Sequence, residues 1–384
     1  MEDSSPPLQI EVRVLESIRR VPEAGWDALD GAAEAPFLRW AFLEALERTG
    51  CVGERAGWLP HHLTFWRDGA LVGAAPAYVK DNSEGEFVFD YAWASASHQI
   101  GAPYYPKLVV AVPFTPATAR RLLVRDPEDR PALLPALAEA LRKLVELGGL
   151  SSAHVLFPTE DEAAALAGAR MAPRLGIQFQ FHNEGYAGFD DFLARFNAKR
   201  RHQIKRERRE LGKQGISIET LRGADLTPEV MDAMFDFYRS TVRKFSWGRQ
   251  YLNRAFFEEI AAKLPYGVEV VLAREGGRPI AGALNLAGST ALFGRYWGAT
   301  EERPFLHFNV CYYHAVDDVI RRGLARFEPG AGGEHKLVRG FQPTVTHSAH
   351  HLAHPRLDAA VRDYLARERA AVRSQTLDKG IAFR

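Results

Sequence analysis

The stretch VEVVLAREGGRPIAGALNLAG (268–288) holds two apolar runs hinged at Glu275-Gly276-Gly277. Glycine reaches the positive φ that a tight hairpin turn demands, so the pattern predicts two antiparallel strands. The stretch HLTFWRDGALVGAAPAYV (62–79) follows the same grammar, with Asp68-Gly69 at its turn. Its LVGA stands where the later copy has IAGA. Upstream of the first hairpin lie an alternating strand, QIEVRVL (9–15), and two helical patterns, AGWDALD (24–30) and FLRWAFLEALERTG (37–50). In the latter, Phe37, Trp40, Leu43 and Leu46 recur every third residue between Pro36 and Gly50. Upstream of the second hairpin lie ISIETLRG (216–223) as a strand, then TPEVMDAMFDFYRSTVRKF (227–245) and NRAFFEEIAAKL (253–264) as helices.

Downstream, GEFVFDYAWA (85–94) reads as an aromatic strand, followed by KLVVAVPF (107–114). A helix over 131–147, a buried strand at 154–158, an alanine-rich helix over 160–170 and a strand at 179–185 complete the first half. In the second half, 188–215 reads as one long helix, TALFGRYWGA (290–299) as a strand and FNVCYYHAVDDVIRRG (308–323) as a helix. ARFEPG (325–330) is a strand, and AGGEHKLVRGF (331–341) a loop. Helix, helix, hairpin, strand thus occurs twice. The expectation is a duplicated mixed-sheet α/β unit with a cleft between or beside the copies, divided as 1–182 and 183–384.

Length and composition agree. A chain of 384 residues, 46% hydrophobic and 25% charged, suits two globular domains rather than a disordered, collagen-like or disulfide-rich protein. Lys and Arg total 49 against 48 Asp and Glu, a net charge of +1, which argues against a dedicated nucleic-acid binder. Cys51 and Cys311 form no CxxC pair, so a structural zinc site is not expected. The N-terminus lacks a basic start followed by an apolar run, and no apolar stretch approaches the ~20 residues that cross a bilayer. A cytoplasmic protein is expected, peripheral at most to the inner membrane face.

GEFVFDYAWA, YYPKLVVAVPFTP (104–116), the basic run KRRHQIKRERR (199–209), GRYWGA (294–299), FLHFNVCYYHAVDDVI (305–320) and GAGGEHKLVRGF (330–341) carry a family resemblance. The chain resembles the FemAB-like branch of the Fem-type, tandem-GNAT N-acyltransferases over most of 36–343. The resemblance implies two GNAT-like domains, an acceptor-side first half and a donor-side second half. It also implies amide formation without a covalent intermediate. Fem-type relatives add amino acids to peptidoglycan precursors from aminoacyl-tRNA, and others resemble bacterial ceramide synthases that use acyl-CoA. One departure is plain: TEERPFLHFNV (300–310) lacks the glycines of the usual GNAT pyrophosphate turn.

Several residues are candidates for the chemistry. Amide formation needs a deprotonated amine, so Glu334 or His335 is the candidate base. Tyr296 is the candidate proton donor to the leaving group, and GRYWGA supplies main-chain donors for an oxyanion. Arg295, His307, Asn309, Lys336 and Arg339 are candidate donor-binding residues. Asn309 also reads as a plain helix N-cap, and the 334–339 cluster as a salt-bridged surface loop. On the acceptor side stand Asp90, Tyr91, Trp93, Tyr104 and Lys107, with an ordinary buried Asp90–Lys107 pair as the alternative. The histidines of THSAHHLAH (346–354) have a spacing that would align on a helix, yet GNAT chemistry needs no metal. The basic run 199–213 suits donor phosphates, an anionic membrane surface or plain solvation.

The absence of a long helical-hairpin insertion and the near-zero net charge favour acyl-CoA over tRNA as co-substrate. No permanently bound cofactor and no metal are expected, and nucleic acid only under the alternative. The leading expectation is transfer of a long-chain acyl group to the amine of a sphingoid-type base. The alternatives are an aminoacyl-tRNA-dependent Fem-type transferase of peptidoglycan biosynthesis and a non-catalytic peptidoglycan-recognition module.

Overall fold

The computed structural model describes residues 10–244 and 248–381, with side chains to 376. The first nine residues, on which the N-terminal reading rests, and Phe245 lie outside the described residues. Among the described residues, fifteen strands form two sheets. In the first half they are β1 (Glu11–Leu15), β2 (Leu59–Pro60), β3 (His62–Arg67), β4 (Ala70–Ala75), β5 (Ala77–Lys80), β6 (Lys107–Val110), β7 (Leu123–Val124), β8 (Ser152–Leu156) and β9 (Ala172–His182). In the second half they are β10 (Ile216–Arg222), β11 (Val268–Glu275), β12 (Arg278–Ala287), β13 (Ala291–Ala299), β14 (Arg326–Glu328) and β15 (Gln342–Leu352). The helices are α1 (Glu23–Asp27), α2 (Trp40–Arg48), α3 (Tyr91–Gln99), α4 (Arg130–Leu147), α5 (Glu160–Gly168), α6 (Phe189–Ala194), α7 (Ala198–Lys213), α8 (Pro228–Arg243), α9 (Arg254–Lys263), α10 (Leu306–Phe308), α11 (His314–Arg322) and α12 (Pro355–Ile381).

Both predicted hairpins form, and their turns explain why. Asp68 and Gly69 take φ of 49° and 77°, and Gly276 and Gly277 take 56° and 81°. Positive φ at both central residues matches the twist of the flanking strands. In each half an outer strand pairs antiparallel with the first hairpin strand, β1 with β3 and β10 with β11, and a helix pair connects them. The duplication read from the sequence is therefore present in the backbone. One sheet has the order β1-β3-β4-β7 and the other β10-β11-β12-β13-β14-β9-β15-β8-β6-β5-β2. The eleven-stranded sheet runs through both halves, and β15 returns to lie between β9 and β8. One apolar cluster, including Trp26, Phe42, Met234, Phe257 and Phe293, spans both units. α8 lies so close on β13 that a Cβ on Gly298 would stand 1.7 Å from the Phe237 carbonyl oxygen. No side chain fits there.

Several expectations need correction. Residues 85–94 are a loop entering α3, not a strand. Phe87 takes a φ of 60°, Trp93 is buried, and Phe89 and Tyr91 are exposed. The reason is electrostatic: Glu86 and Asp90 both reach the buried Lys107, and an extended strand would put them too far apart. The long helix 188–215 breaks at Phe196–Asn197, where the Asn197 side chain accepts from the Arg200 N–H (2.9 Å) and caps α7. The histidines 347–351 lie on β15, where alternation replaces helical alignment, and the argument for a shared helical face falls. Asn309 is no cap: the N-cap position is Phe305, and the buried Asn309 amide donates to the carbonyls of Glu207 and Phe305. The segment 334–339 is a 3-10 turn rather than an open loop. Among the described residues no helix is long and apolar enough to cross a membrane.

Candidate active site

The site begins where two strands part. Among the described residues β13 pairs with β14 in parallel only over Ala291–Phe293, and Gly294–Ala299 has no ladder partner on that side. Across β12 the register shifts, so that Leu284 faces Tyr296, Asn285 faces Gly294, and Arg295 bulges out. A cavity of about 60 Å³ opens at this bulge, lined by Asn285, Arg295, Tyr296, His307, Cys311 and Tyr312 among others. Its far wall is a π turn, Asn309–Tyr313, between α10 and α11. Such turns re-aim side chains out of a helix and recur at functional sites. The bulge and split are where GRYWGA was expected to free main-chain groups.

The glycine-rich segment supplies the second part. Gly330, Gly332 and Gly333 all take left-handed φ (88°, 70° and 88°). They fold 334–339 back so that His335 Nε2 lies 3.0 Å from the Tyr312 hydroxyl. The His307 and His335 rings are 6.1 Å apart. Lys336 is buried and donates to the Gly330 carbonyl (2.7 Å). Arg339 donates to the His335 carbonyl (2.9 Å), stacks on Phe308 (3.3 Å) and pairs with Glu207 (3.4 Å). Tyr313 also donates to Glu207 (2.5 Å). Glu207 thus ties α7, the π turn and the 334–339 turn together. It was hidden in the sequence by its basic neighbours. The one available cue was an acid inside an otherwise basic run at a core-facing helical position.

Electrostatics follow from burial. Desolvation, with help from His335, Lys336 and Arg339, lowers the His307 pKa to about 4. His335 is also lowered, by burial and then by Lys336 and Arg339. Both imidazoles are neutral at pH 7. Burial lowers Lys336 to about 8, with no carboxylate offsetting it. Burial raises Tyr296, which keeps its proton. The structure therefore brings Arg295, Tyr296, His307, His335 and Lys336 to one place. It sets Asn309 and Arg339 to scaffolding, and leaves Glu334 and His335 both exposed at the start of the turn, His335 with its ring on Tyr312. Arg295 donates to the Phe114 carbonyl of the first half.

Beyond the glycine strip lies a groove of about 400 Å³. Its floor is the β9–β15 ladder, with Arg174, Gln178, Thr346 and Ser348. Phe87 and Phe89 form one wall, Val372 of α12 another, and Ala331 and Gly332 the near end. Pro329 lines the small cavity while Ala331 lines the groove, so the strip 329–332 partitions the two. The groove was not foreseen. Its signal was a polar strand, THSAHH, which a central sheet position tolerates only if one face meets solvent or ligand.

The predicted acceptor cluster is different from its expectation. Lys107 contacts Asp90 (2.5 Å), Glu86 (2.9 Å) and Ser83 (2.9 Å), and Tyr104 donates to Asp90 (2.6 Å). Asp90, Tyr104, Lys107 and Trp93 are all buried, and Lys107 meets both carboxylates, though one oxygen of Asp90 and one of Glu86 have no hydrogen-bond partner among the described residues. This is the ordinary buried pair, extended into a network. It anchors the 83–90 loop from below, while Phe87 and Phe89 face the groove. Tyr91 is exposed and stacks on Phe89 (6.1 Å between centroids).

The charge of α7 is not spread evenly. Ile204, Glu207 and Leu211 face inward. Lys199, His202, Lys205, Arg206, Arg209 and Lys213 are exposed, joined only by Ala198 and Gly212. At 100° per residue those six fall within an arc of about 120°.

A duplicated α/β unit with split central strands and an adjoining groove is a tandem GNAT-like fold. A family described as acting in peptidoglycan biosynthesis or recognition, FemAB-like, matches residues 17–383, and the chain belongs to that family. No curated protein matches it. Among solved structures it is similar to FemX (11% identity, 92% of this chain and 100% of that one, TM-score 0.51). It is also similar to L-PGS from Bacillus licheniformis (8% identity, 84% and 96%, TM-score 0.50). A third likeness is to a tandem GNAT protein from the clavulanic acid biosynthesis pathway (12% identity, 90% and 99%, TM-score 0.43).

Proposed function

We propose that the chain forms an amide by moving an aminoacyl group from aminoacyl-tRNA to an amine of a peptidoglycan precursor. The family description supports this acceptor over the sphingoid base, and the Fem-type resemblance supports this donor over acyl-CoA. The observation that carries the site is the His335–Tyr312 contact at the end of a glycine strip with a cavity on one side and a groove on the other.

In this reading the acceptor lies in the groove and the ester carbonyl sits at the parting of β13 and β14. The amine loses a proton to neutral His335, directly or through water, and its nitrogen bonds to the carbonyl carbon. Main-chain N–H groups at the bulge stabilise the oxyanion. The ester C–O bond breaks as Tyr296 gives its proton to the leaving oxygen. His335 then passes the proton it took, through solvent, to the Tyr296 phenolate, and both groups return to their starting state. Lys336, charged below about pH 8, holds an anionic part of the donor. Holding both reactants in one geometry supplies the remaining advantage.

The test is product identity. Purified protein is incubated with charged tRNA plus a muropeptide precursor, and separately with palmitoyl-CoA plus a sphingoid base. Mass spectrometry is expected to find an aminoacylated precursor in the first reaction. A ceramide-type amide in the second alone overturns the assignment. Binding of precursor without turnover in either reaction points to the recognition module instead.

A further inference from the structure

We propose that the exposed face of α7 is the docking surface for the phosphate backbone of the RNA that carries the acyl group. This rests on the transferase reading above and adds where on the chain the RNA is held.

The first argument is the sign of the face. Its six exposed side chains, Lys199, His202, Lys205, Arg206, Arg209 and Lys213, include no acid. The neighbouring acids neutralise only part of it: Lys205 meets Asp190 (2.9 Å), and Glu210 meets both Lys213 (2.9 Å) and Arg209 (3.9 Å). These pairs are solvent-exposed and weak, so a polyanion displaces them at little cost. The second argument is repeat. These residues recur at intervals of one to four positions from Lys199 to Lys213, over about 21 Å of helix. That suits a row of phosphates rather than a single small anion. The third is place. Glu207, on the inward side of the same helix, holds both Tyr313 and Arg339. A strand lying along α7 is therefore positioned beside the turn that bears His335. The fourth argument separates RNA from a lipid surface. The apolar residues of α7, Ile204 and Leu211, are buried, so the exposed face offers nothing to insert among acyl chains.

The net charge of +1 does not oppose this. Binding responds to local potential, and among the described residues only Asp190 and Glu210 are paired with this face.

The probe is an unacylated RNA hairpin with a single-stranded 3′ end, titrated by fluorescence anisotropy at several salt concentrations. The full chain is compared with the triple variant Lys199→Gln, Arg206→Gln, Arg209→Gln. A control carries the same charge loss elsewhere, Arg19→Gln, Arg20→Gln, Lys143→Gln. Each lost phosphate contact removes about 0.7–0.9 from the slope of log affinity against log salt. The triple variant is expected to lose about 2–3 in slope and roughly a hundredfold in affinity at 0.1 M salt, and the control to bind as wild type. Equal loss in control and triple variant overturns the proposal, as does undiminished binding by the triple variant or no RNA binding by wild type. Loss of phosphatidylglycerol-vesicle binding with RNA binding intact also overturns it and makes the face a membrane contact. Because the readout is binding, a failure of aminoacyl transfer leaves this result standing and refutes only the transferase reading.

Discussion

Lys336 is the residue whose replacement says most. It is 3% exposed, its ammonium meets one carbonyl, and burial brings its pKa from 10.5 to about 8. A lysine that holds its proton less tightly in the folded chain than in the unfolded one costs stability at neutral pH. The drop from 10.5 to 8 is worth about 3 kcal/mol at pH 7, and the same arithmetic leaves about 1.4 kcal/mol at pH 9.5. The sign follows from proton counts. Between pH 8 and 10.5 the unfolded chain binds the extra proton, so wild-type stability rises through that window. Lys336→Met keeps the volume and removes the charge, at about 1 kcal/mol for the bond lost to Gly330. The variant is therefore expected to be about 2 kcal/mol more stable than wild type at pH 7, with the gain disappearing near pH 9.5. Transfer is expected to fall about 30- to 100-fold if the charge holds the donor. Urea unfolding at pH 7 and pH 9.5, alongside initial rates, measures both. A variant less stable than wild type at pH 7, or a stability difference unchanged between the two pH values, refutes the reasoning.

Other outcomes follow from the same geometry. Tyr312→Phe removes the hydroxyl on His335 Nε2 and should lower the rate by about 10- to 100-fold with little change in Tm, read by kinetics and thermal melts. Asp90→Asn breaks the buried network around Lys107, so a loss of about 3–5 kcal/mol in denaturant unfolding is expected, and an undisturbed stability would restore the acceptor-binding role. Gly298→Ala drives a Cβ into the Phe237 carbonyl, and a loss of at least about 3 kcal/mol is expected in the same assay. In pH–rate profiles, turnover should fall only in acid, below the usual histidine range, because His335 must be neutral. The KM for the donor should rise above about pH 8 as Lys336 loses its charge.

Much of the scaffold was legible because local rules dictated it. Asp68-Gly69 and Gly276-Gly277 named their hairpins, and the repeated helix pairs announced the duplication. The failures share a cause, which is tertiary context overriding local pattern. GEFVFDYAWA has strand composition, yet two carboxylates 4 residues apart had to meet one buried lysine. THSAHHLAH has helical histidine spacing, yet it completes a sheet begun in the other half of the chain. At the site, GRYWGA, His307 and the 334–339 cluster stood out by chemistry alone. Tyr312 and Glu207 did not, since the π turn that turns one toward His335 and the helix break that sets the other inward are invisible in one dimension. Net charge says nothing about α7, since a sum over 384 residues averages away the one-signed face there.

The central claim is that the glycine strip and His335 join a carbonyl site to an amine site. Its most direct test is the single-turnover rate of amide formation by wild type and His335→Ala, with donor and acceptor saturating. The account predicts a fall of at least a hundredfold in a variant that melts like wild type. Equal rates would contradict it.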